Sequence, residues 1–222
     1  MGIIYPRLCA ACGNVLYYNE RVLCLKCYTD LPRTGYHVHN ENEVARLFWG
    51  RIPVRNATSF ILFNKVSRYR SILHELKYRG QPLVGIEMGR LFGLELKDTP
   101  YAVADLIHPV PLHPYKLRRR GYNQSELIAR GMAEILGIPV LTDLVARISK
   151  TGTQTRKSRY DRWENVRNAF SVCHPEALLN KHVLLVDDVI TTGATIEACA
   201  EAFLSVEGVT VSIATLAFTR LQ

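Results

Sequence analysis

The 222-residue chain is 48% hydrophobic, enough for the core of one α/β domain of ordinary size with a small appendage, and this argues against intrinsic disorder. No run of about 18 apolar residues occurs and the N-terminus lacks a charged region followed by an apolar stretch. A membrane span and a secretory leader are therefore not expected, and the cytoplasm is the expected compartment. Basic residues number 28 against 20 acidic ones, and the formal charge of +8 suits an anionic partner, either a phosphate-rich ligand or nucleic acid.

The first element in the chain is a cysteine pattern, Cys9-x2-Cys12-x11-Cys24-x2-Cys27. Two Cys-x-x-Cys knuckles let four thiolates converge at the roughly 2.3 Å ligand distance of tetrahedral zinc. Two disulfides or free thiols are the alternatives. Val15–Tyr18 and Arg21–Leu23 have the β-branched and aromatic content of a short hairpin with Asn19 and Glu20 at its tip, which completes a zinc-ribbon outline. Four sulfur ligands leave no open position, so such a metal folds the segment and performs no chemistry. Cys173 and Cys199 stand apart and are expected as small core residues. Residues 29–55, rich in turn and polar types, form a connector with a short helix near Glu43–Trp49, and His37 and His39 are expected at its surface.

From residue 56 the pattern alternates between strand and helix. A strand at Asn56–Phe63 precedes a helix at Ser67–Tyr78, with Ile72, Leu73 and Leu76 on its inner face. A second helix, Pro82–Leu96, is expected to turn Leu83, Ile86, Leu91 and Leu94 inward. Then follow a strand (Leu106–Val110), a basic loop (Leu112–Tyr122), a helix (Asn123–Leu136), a strand (Val140–Ile148) and a polar loop (Ser149 to about Tyr160). A short helix with Trp163, strand residues Ala169–Val172, a strand at His182–Val186, a helix at Thr195–Val206 and a strand at Val209–Ala217 complete the chain. Such alternation predicts a mainly parallel sheet with helices on both faces.

The segment Val183–Thr195 carries the chemistry. Four apolar residues make a buried strand, and beyond its C-terminal end, where open α/β sheets bind ligands, come Asp187, Asp188 and the turn Thr191, Thr192, Gly193, Ala194, Thr195. That turn offers a phosphate backbone N–H groups, hydroxyls and the positive end of the following helix, and Gly193 allows close approach. The adjacent carboxylates can accept from ribose hydroxyls or hold them through Mg2+, an ion that prefers oxygen ligands. The plainer alternative is a strand capped by solvated aspartates before a Thr-capped helix.

This segment resembles the thirteen-residue signature of the type I phosphoribosyltransferases. The wider chain resembles the competence protein F family through Leu76–Gly80, Val110–His113, Arg120–Gln124, Gln154, Thr155, Arg162, Asn165, Ala169, Phe170 and the Asp-Asp segment. The resemblance implies a type I phosphoribosyltransferase fold, a mainly parallel twisted sheet flanked by helices, with a zinc-ribbon-like module in front. Residues 1–55 would be that module and connector, and 56–222 the main domain. It implies that Asp187 and Asp188 meet the ribose hydroxyls of a phosphoribosyl pyrophosphate-like ligand and that Thr191–Thr195 wrap its 5-phosphate, with Mg2+ accompanying the ligand. The basic segment then holds pyrophosphate through Lys116, Arg118, Arg120 and Gly121, with Arg119 beside them, although these cations could equally face solvent or a nucleic-acid backbone. Loop 149–159, with Thr151, Gln154 and Thr155, takes the place of a flexible loop that closes over the reacting centre; a basic surface loop is the alternative. The function expected is transfer of phosphoribose to a nitrogen acceptor. The alternative is a single-stranded-DNA-binding accessory protein that works with the DNA-uptake machinery and retains the ligand site.

Overall fold

The computed structural model describes residues 6–63, 67–78, 81–148 and 169–220. Its frame is a four-stranded parallel sheet of β1 (Asn56–Leu62), β2 (Leu106–Pro109), β5 (His182–Ile190) and β6 (Thr210–Phe218) in the order β1-β6-β5-β2. A separate antiparallel ribbon pairs β3 (Val145–Arg147) with β4 (Phe170–Val172). The expected strand Val140–Ile148 is therefore broken: Val140 makes a lone parallel bridge to Ile107, and pairing resumes only at β3.

Side chains alternate across a strand, so a sheet covered on both faces must be apolar at every position. Leu184, Val186, Ala214 and Leu216 pack toward α3 (Arg70–Tyr78), α4 (Pro82–Leu96) and α6 (Gln124–Leu136). Val183, Leu185, Val211 and Ile213 pack toward α2 (Glu43–Arg46) and α7 (Ala194–Leu204). This two-sided burial is why Val183–Val186 reads as an unbroken apolar run.

Along α4 the buried positions are not those expected. Leu83 and Leu94 are exposed and Ile86 and Leu91 half-buried, while Val84, Gly85, Met88, Gly89, Phe92, Gly93 and Leu96 face inward. The reason is close approach to α6. A Cβ on Gly89 would lie 2.2 Å from the carbonyl oxygen of Ile128, and one on Gly131 would lie 2.0 Å from that of Ile86. Backbone meets backbone along this seam, so the large side chains are displaced to its flanks. On α3 the expected inner face holds, with Ile72, Leu73 and Leu76 all buried.

The N-terminal cysteine segment packs into the same core as α3 and α4, and Ser71 Oγ donates to the Ala11 carbonyl at 2.8 Å. The expected hairpin does not form. Val15 bridges back to Leu8, Ala10 N–H donates to the Val22 carbonyl, and the second knuckle leads into α1 (Leu25–Thr29). Glu20 instead accepts from the N–H groups of Tyr17 and Leu25. In the connector, Asn42 caps α2 through its Oδ1 and donates through Nδ2 to the Ala57 carbonyl at 2.8 Å, which stitches α2 to β1. His39 is exposed, but His37 is half-buried beside Glu95. Cys199 is buried as expected, whereas Cys173 is exposed on the turn after β4. No described helix is long and apolar enough to cross a membrane.

Candidate functional site

At the C-terminal edge of the sheet, β5 continues through the acidic pair to Ile190, so Asp187 and Asp188 belong to the strand end and not to a loop. Asp187 still pairs in register with Thr215 of β6, which fixes the backbone beneath the carboxylates. Ser125 Oγ, in the first turn of α6, donates to Asp187 Oδ1 at 2.8 Å, and the Asp188 N–H donates to the same oxygen at 2.8 Å. Burial and the neighbouring Asp188 charge nonetheless push the Asp187 carboxyl up to about 7, against the pull of Ser125 and Lys77. Lys77 Nζ lies 2.8 Å from Asp188 Oδ2. The pair thus sits in a site that already supplies one cation and one hydroxyl.

Downstream, Asp187, Val189 and Ile190–Ile196 line a cradle of about 60 Å³. Gly193 has φ of 80°, in the left-handed region where a side chain is strained, and precedes α7 with no side-chain cap hydrogen bond. The first-turn amides of α7 keep their positive end toward the cradle, apart from a long 3.5 Å contact from the Ala194 N–H to Thr192 Oγ1. Thr191, Thr192 and Thr195 are exposed beside it. Arg51 of the connector holds the turn from behind: one guanidinium nitrogen donates to the Thr192 carbonyl at 3.1 Å and Nε to Glu197 Oε1 at 2.9 Å.

The basic segment is a helix, α5 (Pro114–Arg120), and not the expected loop. Pro114 occupies its first turn, the His113 ring nitrogen accepts from the Tyr115 N–H, and Gly121 closes it in the left-handed conformation with φ of 81°. Helix formation separates the basic residues. Lys116, Arg118 and Arg119 are exposed, whereas Arg120 is half-buried and donates to Gln124 Oε1 at 2.8 Å. The α5–α6 junction is tied to both sides of the acidic pair. Asn123 donates to the Val110 carbonyl at the end of β2, and the Tyr122 hydroxyl donates to the Leu76 carbonyl at 2.7 Å. Thr151, Gln154 and Thr155 lie outside the described residues, as do Arg162 and Asn165.

Ser125, Lys77 and Arg51 were not singled out from sequence as site residues. Each lies far along the chain from Asp187, and only the packing of α6, α3 and the connector brings them to it. The one signal in the sequence was that Lys77 falls within the run Leu76–Gly80.

In the N-terminal segment, the sulfurs of Cys9, Cys12, Cys24 and Cys27 all lie within 4.8 Å of one another. Cys12 and Cys24 are 3.8 Å apart, close to the edge of a tetrahedron with metal–sulfur bonds of roughly 2.3 Å. Burial raises the Cys9 thiol, but the N–H groups of Cys24, Cys12 and Ala11 outweigh it and leave the thiol lowered to about 7. Burial raises Cys27. The four cysteines can bind a metal.

The sequence matches the phosphoribosyl transferase domain family over residues 123–221, which run from the cap of α6 through the acidic pair and the α7 turn to the end of β6. This match, on a parallel sheet flanked by helices, makes residues 123–221 phosphoribosyltransferase-like. The chain is 29% identical to competence protein F of Haemophilus influenzae over 85% of its own length and 86% of that protein. It is 32% identical to DNA utilization protein YhgH of Shigella flexneri over 93% of its own length and 88% of that one. The chain belongs to the competence protein F family. Solved structures similar to it include the glutamine phosphoribosylpyrophosphate amidotransferase of B. subtilis, at TM-score 0.40 and 24% identity over 58% of this chain and 25% of that one. Another is the adenine phosphoribosyltransferase of Leishmania tarentolae, at TM-score 0.40 and 13% identity over 85% and 94%.

Proposed function

We propose that the chain binds a phosphoribosyl pyrophosphate-like ligand with Mg2+ at the C-terminal edge of β5 and transfers its phosphoribose to a nitrogen acceptor. One observation carries the reading: the α7 N-terminus, led by Gly193 and without a side-chain cap, opens onto a small cradle directly beside two carboxylates. In this reading Thr191, Thr192, Gly193, Ala194 and Thr195 take the 5-phosphate and Asp187 and Asp188 the ribose hydroxyls. Arg120 and Gly121 serve the pyrophosphate, with Lys116 and Arg118 further out. The oxygen donors of Asp187 and Asp188 fit Mg2+, and the pair would hold the ion together with the ligand's hydroxyls. When bound, Mg2+ supplies neutralisation of pyrophosphate charge. As the bond from C1 to pyrophosphate breaks, the acceptor nitrogen bonds to C1 and its proton passes to solvent. The protein contributes positioning and fixed dipoles and no nucleophile of its own. Thr151, Gln154 and Thr155 are assigned to the loop that excludes water.

In the same reading residues 56–222 are the ligand-binding domain, and residues 1–55 are a module with connector in which Cys9, Cys12, Cys24 and Cys27 hold a structural Zn2+. The protein works in the cytoplasm.

Calorimetric titration with phosphoribosyl pyrophosphate and Mg2+ tests the first step. Saturable binding is expected, weakened at least tenfold when Asp187→Asn and Asp188→Asn are combined, since charge-assisted bonds contribute roughly 1.5–3 kcal/mol each. Absence of binding by the unaltered protein at millimolar ligand sinks the reading.

A second reading is favoured by α5, which exposes Tyr115, Lys116, Arg118 and Arg119 on one short helix. Cations interleaved with an aromatic ring suit single-stranded DNA, in line with the names of the relatives, and would make the chain an accessory of the DNA-uptake machinery with its ligand site retained.

A further inference from the structure

Lys77 stands in the last turn of α3, and its ammonium is 2.8 Å from Asp188 Oδ2 with both side chains largely covered, 25% and 15% exposed. Its approach is fixed by the α5–α6 junction, because the Tyr122 hydroxyl holds the carbonyl of the preceding residue, Leu76. Ser125, from the same junction, holds Asp187. Lys77 and Ser125 therefore reach the acidic pair from one side, while the cradle lined by Ile190–Ile196 includes no residue of α3 or α6. A ligand with its 5-phosphate in that cradle and its ring hydroxyls on the pair directs its remaining substituent toward the junction. Among the described residues, cations with access to that substituent are few. Arg120, bonded to Gln124, is one, while Lys116, Arg118 and Arg119 face solvent.

We infer that Lys77 is a diphosphate-binding residue of this site, its ammonium passing from Asp188 to the charged end of a phosphoribosyl pyrophosphate-like ligand, an inference that rests on the reading of the preceding section. The exchange is favourable because a diphosphate offers more negative charge and more acceptor oxygens than one carboxylate. Lysine suits it, being a point charge with three rotatable donors on a flexible four-carbon stem.

The test compares two ligands on three proteins. Phosphoribosyl pyrophosphate and ribose 5-phosphate share the ring hydroxyls and the 5-phosphate, but only the first has the diphosphate. Binding of each, with Mg2+, is measured calorimetrically on the unaltered chain, Lys77→Met and Lys77→Arg, with thermal melts to confirm folding. Lys77→Met is expected to weaken phosphoribosyl pyrophosphate roughly tenfold to a hundredfold and leave ribose 5-phosphate within about twofold. Lys77→Arg, which keeps the charge, is expected to retain most of the preference for the diphosphate. Equal losses for both ligands would make Lys77 a positioning residue for Asp188 and overturn the inference, as would no loss for either. If Lys77→Met fails to fold, loss of the diphosphate preference in Lys77→Arg overturns it. Failure of the unaltered chain to bind either ligand would instead remove the underlying reading and this inference with it.

Discussion

His108 of β2 is wholly buried, stacked edge-on against Phe203 at 5.0 Å between ring centroids, and neither ring nitrogen has a hydrogen-bond partner. Burial lowers its pKa from 6.5 to about 4, against the opposing pull of the Pro109 backbone and the Asp143 charge. The folded state therefore binds the imidazole neutral, and its contribution is present above pH 6.5 and lost as pH falls from there toward 4, where the unfolded chain takes up the proton first. The loss is on the order of 3 kcal/mol over that interval. His108→Leu is expected to be near neutral at pH 7.5, because it removes two unpaired polar atoms together with one ring contact. It should narrow the difference in urea midpoint between pH 7.5 and 4.5, and an unchanged difference would refute the assignment. At this scale the sequence was informative where chemistry is local, as at Asp187 and Asp188, which follow a buried apolar run and end up at the end of one strand. It was silent on Ser125 and marked Lys77 only as a member of the run Leu76–Gly80, because residue type does not disclose which distant partner a side chain will meet.

Among elements, the α4–α6 seam shows why a hydrophobicity pattern selected the wrong face. Leu83 and Leu94 carry the large apolar surface, yet contact is set by Gly85, Gly89, Gly93 and Gly131, where the absence of a Cβ permits the helices to touch. Ala normally stabilises a helix relative to Gly by about 1 kcal/mol. Here the sign reverses wherever the new Cβ meets backbone, which cannot rotate away, and overpacking costs about 1–3 kcal/mol or more. Gly131→Ala and Gly89→Ala should be the most destabilising. Gly85→Ala, which meets Leu127 and Leu76 side chains, should be milder, and Gly93→Ala, with its nearest contact at 3.0 Å, the least. Urea denaturation of the four variants checks the order. Among the described residues of the main domain, most of the strand and helix order was legible because periods of 2 and 3.6 are local properties; the expected helix with Trp163 lies outside them. The helix α5 was not, since its seven residues hold no apolar stripe and its ends are set by Pro114 and Gly121.

For the whole molecule, the cysteine segment and the sheet share one core. Cys9, Cys27, Leu16, Val22 and Leu23 are buried in contact with the cluster that contains Phe60, Ile72 and Met88. With a metal on the four thiolates, its binding energy is then folding energy for more than its own segment. Adding a strong chelator is expected to lower the midpoint of a single calorimetric transition, with one metal ion released per chain. Two resolved transitions, with the upper one unmoved, would show the cysteine segment to be energetically separate. The knuckle spacing by itself made the convergence of the four cysteines legible. Its integration into the core was not, because contacts such as Ser71 with Ala11 depend on where α3 lies.

The strand order also dictates a schedule. Among the described strands β1 pairs only with β6, roughly 150 residues later, while its other edge is bonded by residues 32–34. At about 5–20 residues per second, a ribosome takes roughly 8–30 s to make the intervening chain. Throughout that interval the apolar segment Asn56–Leu62 waits with its β6-facing edge open, a template for pairing with other chains until β6 emerges.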